Sequence, residues 1–280
     1  MKPRSNWTRR SINFMVMAVS TLSSFIGIAV LVWVLYEIIY RGIGAFNWDF
    51  FTKLPTPPGV EGGGLANAIL GTVVITALAT LIGVPIGLFA GVFLAEFGLR
   101  SKLSGPVRFV SNILMGTPSI IIGVFVYAML VVTVRHFSGY AGAVALAIIM
   151  IPLVARTTED MLNLVPDTLR ESALALGVPR WKTTLDIVFK AAKKGLLTGS
   201  LLAVARVSGE TAPLLFTALN SPYWPGWLNK PTGNLTVTIY NYAMSPYTDW
   251  QQMAWGASLL ITLGVLFLTL CARFLLQEKK

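Results

Sequence analysis

Six stretches of this chain stay apolar over a length that, coiled as helix, reaches across about 30 Å of hydrocarbon. They run roughly over residues 15–38, 66–96, 107–134, 140–157, 195–216 and 254–276. In lipid every backbone amide must be paired within its own segment, so each stretch is read as a helix. The balance of residues agrees: 55% are hydrophobic and 12% charged, with a mean hydropathy of +0.69. A water-soluble domain of 280 residues needs more polar surface than that. The expectation is an all-α polytopic membrane protein, one domain over 1–280, with six transmembrane helices.

Charge placement orients it. The first apolar run follows Lys2, Arg4, Arg9 and Arg10, as a signal peptide would. Its core is too long for one and no small-x-small cleavage site closes it, so a retained helix is expected. An even number of crossings puts both termini on one side. Of 22 basic residues, 17 fall in the two ends, in the stretch with Arg100, Lys102 and Arg108, and in 156–194. Only Arg41, Lys53, Arg135 and Lys230 fall opposite, and Arg206 lies within a crossing. The positive-inside rule then makes both ends cytoplasmic. Residues 41–65 and 217–252 become long outward loops, rich in Pro, Gly and aromatics, with Trp224 and Trp227 expected at headgroup level.

Several function classes drop out. The net charge of +10 does not point to nucleic acid, because the basic residues sit at the ends of apolar runs and form no patch interleaved with aromatics. One cysteine, Cys271, and one histidine, His136, make no disulfide, thiolate site or imidazole cluster. Gly62-Gly63-Gly64 lacks the Gly-Lys-Ser/Thr that a phosphate loop needs. An intramembrane enzyme has no H-E-x-x-H or G-x-S-x-G here, and adjacent Glu159 and Asp160 face different ways. No catalytic residue and no metal ligand is assigned.

The fifth run holds two opposite charges, Arg206 and Glu210. Each costs about 2.5 kcal/mol or more at mid-bilayer, and the guanidinium cannot shed its proton. At i, i+4 on one helix they share a face and can pair. Either they line a polar route, or they are a static brace between helices. In the third run Gly116-Thr117-Pro118-Ser119 interrupts the apolar pattern. Pro118 removes a backbone donor; the Thr117 and Ser119 hydroxyls either satisfy the freed carbonyl or face a wet cavity. Gly83, Gly87 and Gly91 recur every four residues in the second run, a stripe for close helix approach within this chain or to a partner subunit.

Residues 156–194 carry the most patterned connection. Pro166-Asp167-Thr168 reads as a helix start with Asp167 as cap. Leu169, Ala173 and Leu176 make one narrow apolar face, and Gly177 with Pro179 ends the helix. So thin a stripe beside Asp167, Arg170 and Glu171 suits a protein groove better than lipid.

Glu171-Ser172-Ala173-Leu174-Ala175-Leu176-Gly177, with Ile187 ten residues beyond the glycine, resembles the EAA loop of ABC importer permeases. Two positions depart: Ser172 stands for the first alanine, and Lys190 for a usual proline. The resemblance implies a type I permease fold in which Glu171, Ser172, Ala173, Leu176, Gly177 and Ile187 form a coupling loop on the ATPase subunit. Ala205-Arg206-Val207-Ser208-Gly209-Glu210-Thr211-Ala212-Pro213 onward is similar to the fifth helix of phosphate-importer permeases. So are Gly116 to Ile120, and Ile151-Pro152 to Arg156-Thr157-Thr158-Glu159. That likeness implies phosphate passage past Arg206, Glu210 and Arg156, with Thr117 and Ser119 beside the pathway. It also implies a second, different permease, two copies of an ATPase and a periplasmic phosphate-binding protein in a bacterial inner membrane. No cofactor is expected on this chain; ATP and Mg belong to the partner ATPase. Another oxyanion (sulfate, molybdate, tungstate) and a passive anion channel are the alternatives, the channel disfavoured because a passive pore has no need for a motor interface.

Overall fold

The computed structural model describes residues 6–60, 62–98 and 101–274. Lys2, Arg4, Arg100, Lys279 and Lys280 of the charge count lie outside them. Among the described residues all regular structure is helical. In chain order these are α1 (Asn6–Gly42), α2 (Trp48–Thr52), α3 (Ala66–Val92), α4 (Ser104–Gly116), α5 (Ser119–Val126) and α6 (Val132–Val134). There follow α7 (Gly139–Asn163), α8 (Asp167–Ala175), α9 (Arg180–Thr183), α10 (Phe189–Ser208), α11 (Ala212–Thr217), α12 (Leu235–Ala243) and α13 (Thr248–Phe274). Wide π-turns prolong three of them, over Phe93–Phe97, Tyr127–Val131 and Thr184–Val188.

Six unbroken crossings are not what forms. Among the described residues four helices are long and apolar enough to span, Arg9–Ala45, Ala66–Phe97, Gly139–Asn163 and Thr248–Phe274. The third run is instead a bent pair, Ser104–Gly116 and Ser119–Val134, at 106° to each other. Pro118 forces the bend, because the residue before a proline avoids helical geometry and Thr117 is extended, with ψ 131°. The fifth run is broken too, between α10 and α11. A helix carried through would drive the Pro213 ring into the carbonyl of Gly209.

The centre of the bundle is α7, the most buried of the four spanning helices. Its Ala143, Leu146, Ala147, Met150 and Val154 pack with Ile75 and Ala79 of α3, Ala203 and Val207 of α10, Leu214 of α11 and Val237 of α12. The glycine stripe of α3 is used within the chain. A methyl added at Gly83 would stand 3.0 Å from Met150 Cβ, and one at Gly87 2.7 Å from Val154 Cβ; at Gly91 it would overlap Thr158. Glycine there lets two backbones approach as no larger residue would.

By contrast, α1 exposes large side chains along most of its length, among them Phe14, Phe25 and Trp33. It meets α13 near its end, where Gly42 fits against Leu259 and the Trp255 carbonyl. The stretch 217–252 is not simply a loop. Asn234 accepts from the Val237 amide to start α12, and Leu235, Val237 and Tyr242 are buried. Trp224 and Trp227 remain exposed.

Candidate functional site

The two broken helices meet each other. At the first break the Thr117 hydroxyl donates to the Ile113 carbonyl at 2.7 Å, which pairs an acceptor of the last turn of α4. At the second, α10 winds down through tighter bonds, Gly209 N–H to Arg206 O at 3.3 Å and Glu210 N–H to Val207 O at 3.1 Å. The Glu210 carbonyl then accepts from the Thr236 hydroxyl of α12 at 2.9 Å. Irregular backbone at membrane depth survives only where such groups are re-satisfied. Gly123 of α5 fits directly on Pro213 of α11; a methyl there would stand 2.6 Å from Pro213 Cα.

Between the breaks lies a cavity of about 210 Å³, some seven times the volume of about 30 Å³ that a water takes in the liquid. Thr117, Pro118 and Ser119 line it from the first break, Arg206 and Glu210 from the second, and Ile149 and Leu153 from α7. Thus four of the five residues expected on the substrate route share one cavity. The expected helical pairing of Arg206 with Glu210 does not form: α10 ends at Ser208, so they no longer occupy one helical face. Among the described residues neither side chain has an ion-pair partner within 4.0 Å, so a guanidinium and a carboxylate both open on the cavity.

Arg156 stands apart. Its guanidinium lies 3.3 Å from Asp160 Oδ2 and 3.8 Å from Glu159 Oε2. Glu159 is also held by Arg108 at 2.7 Å. The sequence spacing of Ile149, Leu153, Arg156 and Asp160 puts all four on one face of α7. Arg156 therefore follows the cavity wall toward the end of that helix.

In the EAA-like segment, α8 begins at Asp167 as expected, but the Asp167 carboxylate does not cap it. It accepts from Arg170 Nη1 at 3.1 Å instead, as a first-turn residue can. Gly177 closes the helix in left-handed geometry, φ +79°, with the Gly177 N–H on Leu174 O and the Val178 N–H on Ala173 O. The narrow apolar face divides. Ala173 turns inward, whereas Leu169 is exposed and Leu176 is 85% exposed. Glu171 is exposed, the Ser172 hydroxyl donates to Thr168 O at 2.7 Å, and Ile187 is half-buried in the turn Thr184–Val188. Sequence reasoning set Arg170 beside the apolar stripe but passed over Glu96, which Arg170 meets at 3.0 Å. A lone acid at the end of an apolar run was the signal for Glu96.

The model of the family of binding-protein-dependent transport system inner membrane components matches residues 83–277. The phosphate transport system permease protein PstA of Haemophilus influenzae is 49% identical over 283 positions, covering 100% of both chains. The protein of the same name from Yersinia pestis is 47% identical, over 97% of this chain and 92% of that one. Among solved structures, an inward-facing MetNI methionine ABC transporter superposes with a TM-score of 0.62 over 76% of this chain and 94% of the other, at 21% identity; that likeness is one of fold, the type I ABC importer permease. With the family model over more than half of the chain and close relatives along its whole length, this multi-pass membrane protein belongs to the PstA permeases of the binding-protein-dependent transport family.

Proposed function

We propose that this chain forms half of the path by which inorganic phosphate crosses a bacterial inner membrane, its two termini in the cytoplasm. A PstC-like permease supplies the other half, two copies of a PstB-like ATPase hold ATP and Mg and drive it, and a PstS-like periplasmic protein delivers the anion. This chain has no ATPase site of its own. The observation that carries the reading is the single cavity where both helix breaks bring together Arg206, Glu210, Thr117 and Ser119.

The chemistry follows from those groups. A planar guanidinium holds two phosphate oxygens at once. Alone it would keep them, and conduction needs release. Glu210 opens on the same cavity, so the anion trades against a carboxylate within reach. α5 begins at Ser119, and the start of a helix favours negative charge. Thr117 has given its proton to Ile113, so toward the cavity it can only accept. Two acceptors, Thr117 and Glu210, suit hydrogen phosphate, which has a proton to give, and not sulfate. Arg156, paired with Asp160 and Glu159, repeats the cation-with-carboxylate arrangement further along α7.

Uptake of labelled phosphate into vesicles holding the whole assembly tests this, with sulfate, molybdate and tungstate as competitors. Uptake should require ATP and resist tenfold excess of each competitor, an excess equal to about 1.4 kcal/mol of discrimination. Equal competition by sulfate, or uptake without ATP, would contradict it.

A further inference from the structure

We propose that Arg170 and Glu96 are the joint through which movement of α8 reaches the helices around the cavity. The proposal rests on α8 being the segment that meets the ATPase.

Arg170 directs its guanidinium inward. Its Nε and Nη2 donate to Glu96 Oε1 at 3.1 and 3.0 Å, Nη2 also donates to the Leu162 carbonyl at 2.7 Å, and Nη1 to the Val165 carbonyl at 2.6 Å. Both side chains are largely enclosed, 17% exposed for Arg170 and 12% for Glu96. The other acid on Arg170, Asp167, is 88% exposed, so its bond is weak and screened. One rigid planar group therefore fastens α8 to the end of α7 and to the π-turn that finishes α3. A lysine could not, since it offers a point charge in place of a fork.

What Glu96 is attached to gives the joint its consequence. The turn carrying it continues α3, and α3 lies against α7 through Gly91, Gly87 and Gly83 with no slack for sliding. On α7 the contacted residues are Thr158, Val154 and Met150, and neighbouring Leu153 and Ile149 form the cavity wall. A tilt of α8 cannot occur without drawing Glu96, hence α3, hence the α7 face that closes on Arg206. Arg170 and Glu96 are positioning residues; neither touches the cavity.

The test is the ratio of phosphate moved to ATP hydrolysed by the complete assembly in proteoliposomes, with ATPase co-purification read beside it. Glu96→Gln and Arg170→Lys should keep the ATPase bound and hydrolysing, while the ratio falls by about tenfold, as expected for a coupling of ordinary size. Asp167→Asn should leave the ratio unchanged. A normal ratio in Glu96→Gln would overturn the proposal. Loss of ATPase co-purification in both variants would overturn it too, because the pair would then only shape the docking surface. If the unmodified assembly moved no phosphate, the functional reading would fail, independently of either variant.

Discussion

Arg206 and Glu210 show how two charges can be placed in an apolar helix run without being spent on each other. Had α10 continued, they would have stood one turn apart and paired, a brace with nothing left for a solute. Pro213 prevents that by ending the helix at Ser208. The break leaves both side chains open to a cavity shared with Thr117 and Ser119. On the function proposed above, Glu210 keeps Arg206 from holding phosphate too long. Glu210→Gln should lower the half-saturating phosphate concentration and the maximal rate together, each by about tenfold, the effect of about 1.4 kcal/mol. Uptake rates measured against phosphate concentration check this; a variant with weaker apparent affinity and normal rate would count against that role.

Among the elements, the contrast between unbroken and broken helices organises the molecule. α3 and α7 are unbroken neighbours whose glycines and small residues let the backbones nearly touch. α4–α5 and α10–α11 are interrupted, and the interruptions supply the polar groups. Close packing of the first kind has a measurable cost when disturbed. Gly87→Val forces a side chain into Val154 and should destabilise the purified protein by about 1–3 kcal/mol, the usual penalty of overpacking. Gly27→Val, with no atom within 4 Å of the added carbon, should change little. Thermal unfolding in detergent compares the two, and equal melting of both variants would refute the close-packing argument. Much of this was legible in the chain. The i, i+4 glycines, Pro118 and Gly177 each act through local sterics that a sequence carries openly. The second break was not read, because Pro213 lies beyond the charged pair and its effect falls on a carbonyl four residues earlier. The inward turn of α12 was missed for a different reason. Its burial depends on contacts between residues far apart, such as Thr236 with Glu210 and Leu235 N–H with Thr72, and no local pattern encodes those.

At the scale of the whole molecule, the proposals above make the chain a lever between α8 and the cavity. Apolar α1 flanks the bundle and α7 runs through its middle. The EAA-like helix α8 hangs from α7 and α3 by the Arg170 guanidinium. The distribution of charge follows this division, with Arg108, Arg156, Glu159 and Asp160 clustered toward the α8 end and Arg206 with Glu210 set deeper. On the proposed function the chain supplies a route and a handle, and its partners supply the driving chemistry. All of it turns on whether the guanidinium between the two helix breaks meets the cargo. The most direct measurement is the initial rate of labelled phosphate uptake by the complete, ATP-supplied assembly carrying Arg206→Gln, with ATPase co-purification confirming that the complex is whole. A fall of about a hundredfold, the loss of about 2.8 kcal/mol of charge-assisted hydrogen bonding, is predicted. An unchanged rate in an intact complex would contradict the account.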